Sequence, residues 1–219
     1  QVFYFDREQA LIVMEFFSPH IILRKKLIAG EKVEGLAQTL GKFCARTSFR
    51  GSDLSMQTKL KKRETALFQG NFEMIGITEN LIFTDPYYPA EMNYHSTGLD
   101  PTVAMLRGDV ELKAAVQGLF LKFTSNTETL LHGDLHSGSV MCTPDETKII
   151  DPEFGFYGPI GFDIGMLIAN YLMAYFSQPG HREKGDLETS QTWILKVIED
   201  TVVSFESEFS HLWPRARTG

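Results

Sequence analysis

Two short apolar runs, residues 139–143 and 147–150, stand on either side of Pro144-Asp145-Glu146. Proline and aspartate are residues that tight turns use, so the runs predict a β-hairpin. A strand of about five residues covers roughly 16 Å at about 3.3 Å per residue, and its partner retraces that distance. The return strand therefore brings Asp151 back to about the level at which the outgoing strand left Asp134. Whatever fold surrounds this hairpin must accommodate two carboxylates at its open end.

Carboxylates side by side repel, and one is driven towards its protonated form unless a cation lies between them. The geometry asks for a hard metal. Magnesium suits it, because this ion takes one or two protein carboxylates, keeps several waters and completes its shell with phosphate oxygens. Phosphoryl transfer is then the leading reaction class. Asp134, on a loop just before the hairpin, is placed to orient or deprotonate an acceptor hydroxyl. A metal-dependent phosphoesterase is a rival, since His132, Asp134 and His136 set potential ligands close together. That rival lacks the further Asp and His clusters of a two-metal site and leaves Asp151-Pro152-Glu153-Phe154 without a role.

The wording His132-Gly133-Asp134-Leu135-His136-Ser137-Gly138-Ser139, followed by Ile150-Asp151-Pro152-Glu153-Phe154 and Gly158-Pro159-Ile160-Gly161-Phe162-Asp163, resembles the methylthioribose kinases. These are members of the protein-kinase-like group that includes aminoglycoside and choline kinases. Most of that group place an Asn five residues after the catalytic Asp; here the position holds Ser139, as in the methylthioribose kinase wording. The resemblance implies an α+β, protein-kinase-like fold, mainly its helical C-terminal lobe with a catalytic-loop hairpin. It implies ATP and Mg2+ as cofactors, Asp134 as the catalytic residue, and Asp151 and Glu153 as metal ligands. It makes residues 1–18 the remnant of an N-terminal lobe with its hinge, where Glu15, Phe16 and Phe17 meet adenine, and residues 19–219 the C-terminal lobe. His136 and Ser137 are expected at the sugar or a phosphate. His132 is expected to brace the loop, and Asp163 to hold the loop backbone from behind or simply to cap the helix that follows.

The activity so implied is ATP-dependent phosphorylation of 5-methylthioribose to its 1-phosphate in methionine salvage, with a possible homodimer. Two alternatives stay open. One is a catalytically inactive or binding-only domain, because the glycine-rich phosphate loop and the paired Lys and Glu that precede a kinase hinge have no counterpart here. The other is a kinase of a different small alcohol, such as choline or an aminoglycoside.

The remaining sequence constrains partners more than chemistry. A net charge of −7 argues against nucleic acid, whose binders carry a basic face. Cys44 and Cys142 lie far apart without metal-ligand spacing, so both read as reduced core residues of a cytoplasmic protein. The most lipid-like run, residues 164–176, is short and carries Asn170, so a buried helix is expected rather than a membrane span.

Periodicity fills in the rest. Residues 2–5 and 10–14 around a charged turn predict an N-terminal hairpin. From Arg24 the pattern is helical to about Gly51, with Val33, Leu36, Leu40 and Cys44 on one face. The clusters Arg24-Lys25-Lys26 and Lys59 to Arg63 read as solvated helix surface. Residues 71–83 suggest a helix running into an extended piece, and the aromatic loop from Thr84 to Pro101 covers either a sugar pocket or core. Asp100-Pro101 reads as a helix start, with a break near Gly108, and this helix is expected to underlie the catalytic loop. A polar loop over residues 178–188 precedes a final amphipathic helix from Thr189 or Ser190. Arg215 and Arg217 read as surface residues.

Overall fold

The computed structural model describes residues 1–216. Strands β1 (Val2–Asp6) and β2 (Leu11–Met14) form an antiparallel hairpin. Asp6 sets its turn by accepting from the N–H groups of Glu8 and Gln9 at 2.9 and 3.0 Å. The two strands make a sheet of their own, and side chains such as Phe3, Phe5 and Ile12 are exposed.

Past Ser18-Pro19 the chain enters its packed body. β3 (Ile21–Ile22) leads straight into α1 (Leu23–Ala29), and α2 (Leu36–Arg50) follows. The continuous helix expected from the spacing is divided because Gly30 and Gly35 take φ of 74° and 65°. A left-handed residue ends the hydrogen-bond ladder, and glycine adopts it without a Cβ clash. α3 (Thr58–Phe68) and α4 (Phe72–Thr78) come next. The chain then continues as a wide π-helical segment and a tight 3-10 turn through Tyr87, where an extended piece was expected.

α5 (Asp100–Gly108) and α6 (Val110–Ser125) are separated at the glycine, as expected. Asp109 caps α6, its carboxylate accepting from the Leu112 N–H at 2.9 Å. Asp100 lies inside the first turn of α5, with Leu99 at the cap position instead. β4 (Thr129–Leu130) leads into the loop of residues 131–139, and β5 (Val140–Cys142) and β6 (Thr147–Ile149) form the expected hairpin. β3 pairs with β5, giving a three-stranded sheet ordered β3-β5-β6, while β7 (Tyr157–Gly158) returns beside β4. α7 (Phe162–Ser177) and α8 (Lys184–Ala216) complete the body. α8 begins at Lys184, so the polar loop before it is shorter than the sequence suggested.

Two apolar clusters hold these elements. The larger gathers Leu27, Leu36, Leu40 and Cys44 with Leu135 of the loop, Val140 and Cys142 of β5, Leu167 and Tyr171 of α7, and Ile194 of α8. The smaller joins Phe83, Val116 and Phe123 to Leu131 and Phe156. The loop therefore rests chiefly on α2, α7 and α8, and α6 supports only its flank; the expectation of α6 as the whole platform is corrected. The architecture is α+β, with a helical body around small sheets, as expected of a kinase-like lobe.

The two basic clusters are not simply solvated. Lys26 is buried and paired with Glu31 at 2.6 Å, and Lys61 is buried against Asp53. Aliphatic stems let a lysine cover apolar surface while its ammonium keeps a partner. Both cysteines are free and buried. No helix among the described residues is long and apolar enough to cross a membrane. Arg215 is exposed, and Arg217 lies outside the described residues.

Candidate active site

The loop between β4 and β5 alternates in burial: His132, Gly133, Leu135, Ser137 and Ser139 are buried, while Asp134, His136 and Gly138 are half-buried. One set of side chains anchors the loop and the other reaches its outer face. Leu135 is the apolar anchor, fully enclosed in the larger cluster.

The polar anchor is Asp163. It is 3% exposed, and its carboxylate accepts from the backbone N–H of His132 at 2.7 Å and of Gly133 at 3.0 Å. Burial pushes its carboxyl above the ordinary aspartate range, and those two N–H groups pull it part of the way back. Its helix starts at Phe162 with Gly161 as the cap, so the N-cap role considered for Asp163 is corrected: the side chain reaches across to the loop instead. His132 ties the loop to the hairpin. Its Nε2 lies 2.9 Å from the Ile150 carbonyl, and its Nδ1 accepts from the Asp134 N–H at 3.4 Å. That pattern fits the tautomer with the proton on Nε2.

Ser139 replaces the Asn usual in the wider group. Its hydroxyl donates to the Asp134 carbonyl at 2.7 Å, and its own carbonyl accepts from the Ile150 N–H at 3.0 Å. The residue joins loop and hairpin from inside. Ser137, expected near substrate, is 3% exposed and donates its hydroxyl to Asn170 Oδ1 at 2.6 Å. His136 does reach the outer face, with Nε2 at 3.2 Å from Asp134 Oδ2.

Asp151 and Glu153 follow the hairpin on an exposed 3-10 turn, Pro152–Phe154. Asp151 has φ 67° and ψ 56°, a left-handed conformation that is uncommon for a side chain with a Cβ and that turns the chain sharply out of β6. Asn71 pins the turn, its amide donating to the carbonyls of Glu153 at 2.7 Å and Gly155 at 3.0 Å. Gly133 has φ 85°, and a Cβ there would meet the Phe154 carbonyl oxygen at 2.1 Å, so the loop and the acidic turn lie in backbone contact. This contact depends on glycine. The β5–β6 hairpin thus returns the acidic turn to the backbone of the loop at Gly133.

Among the described residues no group of three or more His, Cys, Asp or Glu side chains forms a ready metal cage. Asp151 and Glu153 are the hard oxygen donors that could hold a magnesium ion, which takes one or two protein carboxylates and fills its shell with water and phosphate oxygens.

At the expected hinge, the Glu15 N–H is paired with the Gln1 carbonyl at 2.7 Å, Phe16 is 88% exposed, and Phe17 packs against His20 with ring centroids 5.7 Å apart. His20 in turn lies 3.0 Å from Glu146 at the tip of the hairpin. A cavity of about 850 Å³ opens between α2, α3, His132 and Pro152. It is walled by Phe43, Leu60, Phe68 and Tyr157 among others, and Asp134, Asp151 and Glu153 do not line it.

Sequence reasoning missed Arg24, Asn71 and Asn170. Each acts on a segment more than thirty positions away, and nothing local distinguishes it from a surface polar residue. Only the hydrogen-bonding demand of a buried loop backbone could have signalled that such partners exist.

Residues 8–194 match the phosphotransferase enzyme family. Across its full length the chain is 47% identical to a methylthioribose kinase of Escherichia coli O45:K1 (strain S88 / ExPEC), covering 53% of that protein. It is 44% identical to methylthioribose kinase 1 of Oryza sativa subsp. japonica, covering 52% of it. Over 97% of its length it is 41% identical to the methylthioribose kinase of Geobacillus thermodenitrificans (strain NG80-2). The chain spans about half the length of the curated relatives it matches. The family match runs through the loop held by Asp163, the hairpin that returns to it and the acidic turn beyond. By that match the chain belongs to the phosphotransferase enzyme family.

Proposed function

We propose that this chain carries the catalytic loop and metal-binding turn of a methylthioribose kinase, which transfers the γ-phosphoryl group of ATP to the anomeric hydroxyl of 5-methylthioribose. The observation that carries the reading is 40–47% identity to kinases of that name along 97–100% of the chain. Residues 1–18 belong to the N-terminal lobe and hinge, and residues 19–219 to the C-terminal lobe. In support, β1 and β2 form a separate sheet, while β3 onwards joins the common body.

Asp134 accepts the proton of the sugar hydroxyl as that oxygen attacks phosphorus, general-base help worth about 10² to 10⁴ in rate. Its carboxylate is half-buried on the outer face, and its backbone is fixed on both sides by His132 and Ser139. Asp151 and Glu153 would hold magnesium, which when bound offsets the negative charge of the phosphates. Asn71 and Gly133 set where those carboxylates stand relative to the loop. Adenine is assigned to residues 15–17, in the extended segment between β2 and β3.

The test is magnesium-dependent transfer of labelled phosphate from ATP to methylthioribose, with choline and an aminoglycoside as competing acceptors. Transfer to methylthioribose alone, abolished in Asp134→Asn, is the expected result. Preference for another acceptor would overturn the substrate, and a folded chain without transfer would overturn its sufficiency for catalysis.

A further inference from the structure

His136 touches Asp134 on one side and two donors on the other. Its Nδ1 lies 2.7 Å from the Gly138 N–H and 3.3 Å from Arg24 Nη2. A nitrogen that accepts from donors carries no proton itself, so the proton of the neutral ring sits on Nε2. That nitrogen stands 3.2 Å from Asp134 Oδ2. The direction of donation is therefore set from Arg24 and Gly138, through the ring, to the carboxylate.

Arg24 is held in place for this. It stands in the first turn of α1, its backbone N–H donates to the Ser137 carbonyl at 3.1 Å, and its Nε lies 3.5 Å from Ser137 Oγ. Its guanidinium cannot lose its proton, so it can only donate. Gly138 fits the same purpose. A Cβ there would meet His136 Cε1 at 2.3 Å and Arg24 Nη2 at 3.0 Å, while the residue shows no positive φ that would itself demand glycine. The glycine makes room for the ring and the guanidinium.

We propose that Arg24 and Gly138 fix His136 as the Nε2–H tautomer, so that the ring clamps Asp134 through Oδ2 and leaves Oδ1 to receive the substrate proton. His136 and Arg24 are then positioning residues for the base. The inference rests on the reading of Asp134 as that base, but the tautomer can be measured without turnover.

The experiment combines ring-nitrogen NMR of the histidine-labelled full chain with steady-state kinetics. The spectrum of wild type should show His136 neutral, protonated at Nε2 and bare at Nδ1, and Arg24→Met and Gly138→Ala should both move the Nδ1 resonance. His136→Ala should lower kcat on the order of tenfold to a hundredfold, the scale of a misplaced catalytic group, with KM for methylthioribose within twofold. His136→Gln, which retains a donor, should recover part of kcat. An Nδ1–H tautomer or an imidazolium in wild type at mildly alkaline pH would overturn the proposal, as would an Ala variant that changes KM alone. Absence of all transfer would overturn this chain's sufficiency for catalysis, and the spectrum would still decide the clamp.

Discussion

Replacing Asp163 by Asn removes one acceptor from a carboxylate that holds two backbone donors. Each N–H given to a buried carboxylate contributes about 1.5–3 kcal/mol. The amide keeps one oxygen, but its NH2 then faces the other N–H, so one bond is lost and a donor is stranded. Against this, the amide buries no charge, and burial is the main cause that pushes the Asp163 carboxyl up. The net cost at neutral pH is about 1–2 kcal/mol; Asp163→Ala, which strands both donors, costs about 3–4 kcal/mol. The sign with pH follows from linkage. The native carboxyl titrates above its unfolded value, so the stability tied to its proton is fully present below about pH 4 and is lost as pH rises through the native value. The gap between wild type and Asp163→Asn should therefore narrow between about pH 4 and neutrality. Urea denaturation followed by circular dichroism measures the gap, and amide hydrogen exchange reports on His132 and Gly133 directly. An Asn variant as stable as wild type, with both amides exchanging at unchanged rates, would refute the reasoning.

Asn71→Ala should cost about 1–2 kcal/mol through its two lost bonds to the carbonyls of Glu153 and Gly155. It should also weaken magnesium binding while leaving the His136 ring resonances unchanged, as a magnesium titration would record. Cys44 and Cys142 should stay silent to a thiol reagent in the native protein, because burial pushes both thiols up and away from the reactive thiolate. Labelling at the rate of global unfolding is expected, and rapid labelling of either would show the larger cluster to be open.

Much of the frame was legible because it is local. The 140–149 hairpin announces itself through Pro144 and Asp145 between apolar runs, and its strands fall within a residue or two of the expected ends. The break between α5 and α6 follows from Gly108, and the helix over 162–177 from its apolar length. Where local reading failed, a competing local conformation or a distant partner decided. Gly30 and Gly35 take left-handed backbone inside an otherwise helical period. Lys26 and Lys61 look solvated by type but are buried beside Glu31 and Asp53, neither of which helical spacing within one helix would pair with them.

By itself the sequence determined the chemical inventory: an aspartate on a loop, a hairpin that returns a second acidic pair to it, and the wording that marks a phosphotransferase. The tertiary structure decided how that inventory is held. Asp163, Asn71, Asn170 and Arg24 reach the site from α7, from the start of α4, from α7 again and from α1. Their roles exist because a buried loop must satisfy backbone donors and acceptors that its own short sequence cannot, and only chain folding brings such partners within hydrogen-bonding distance.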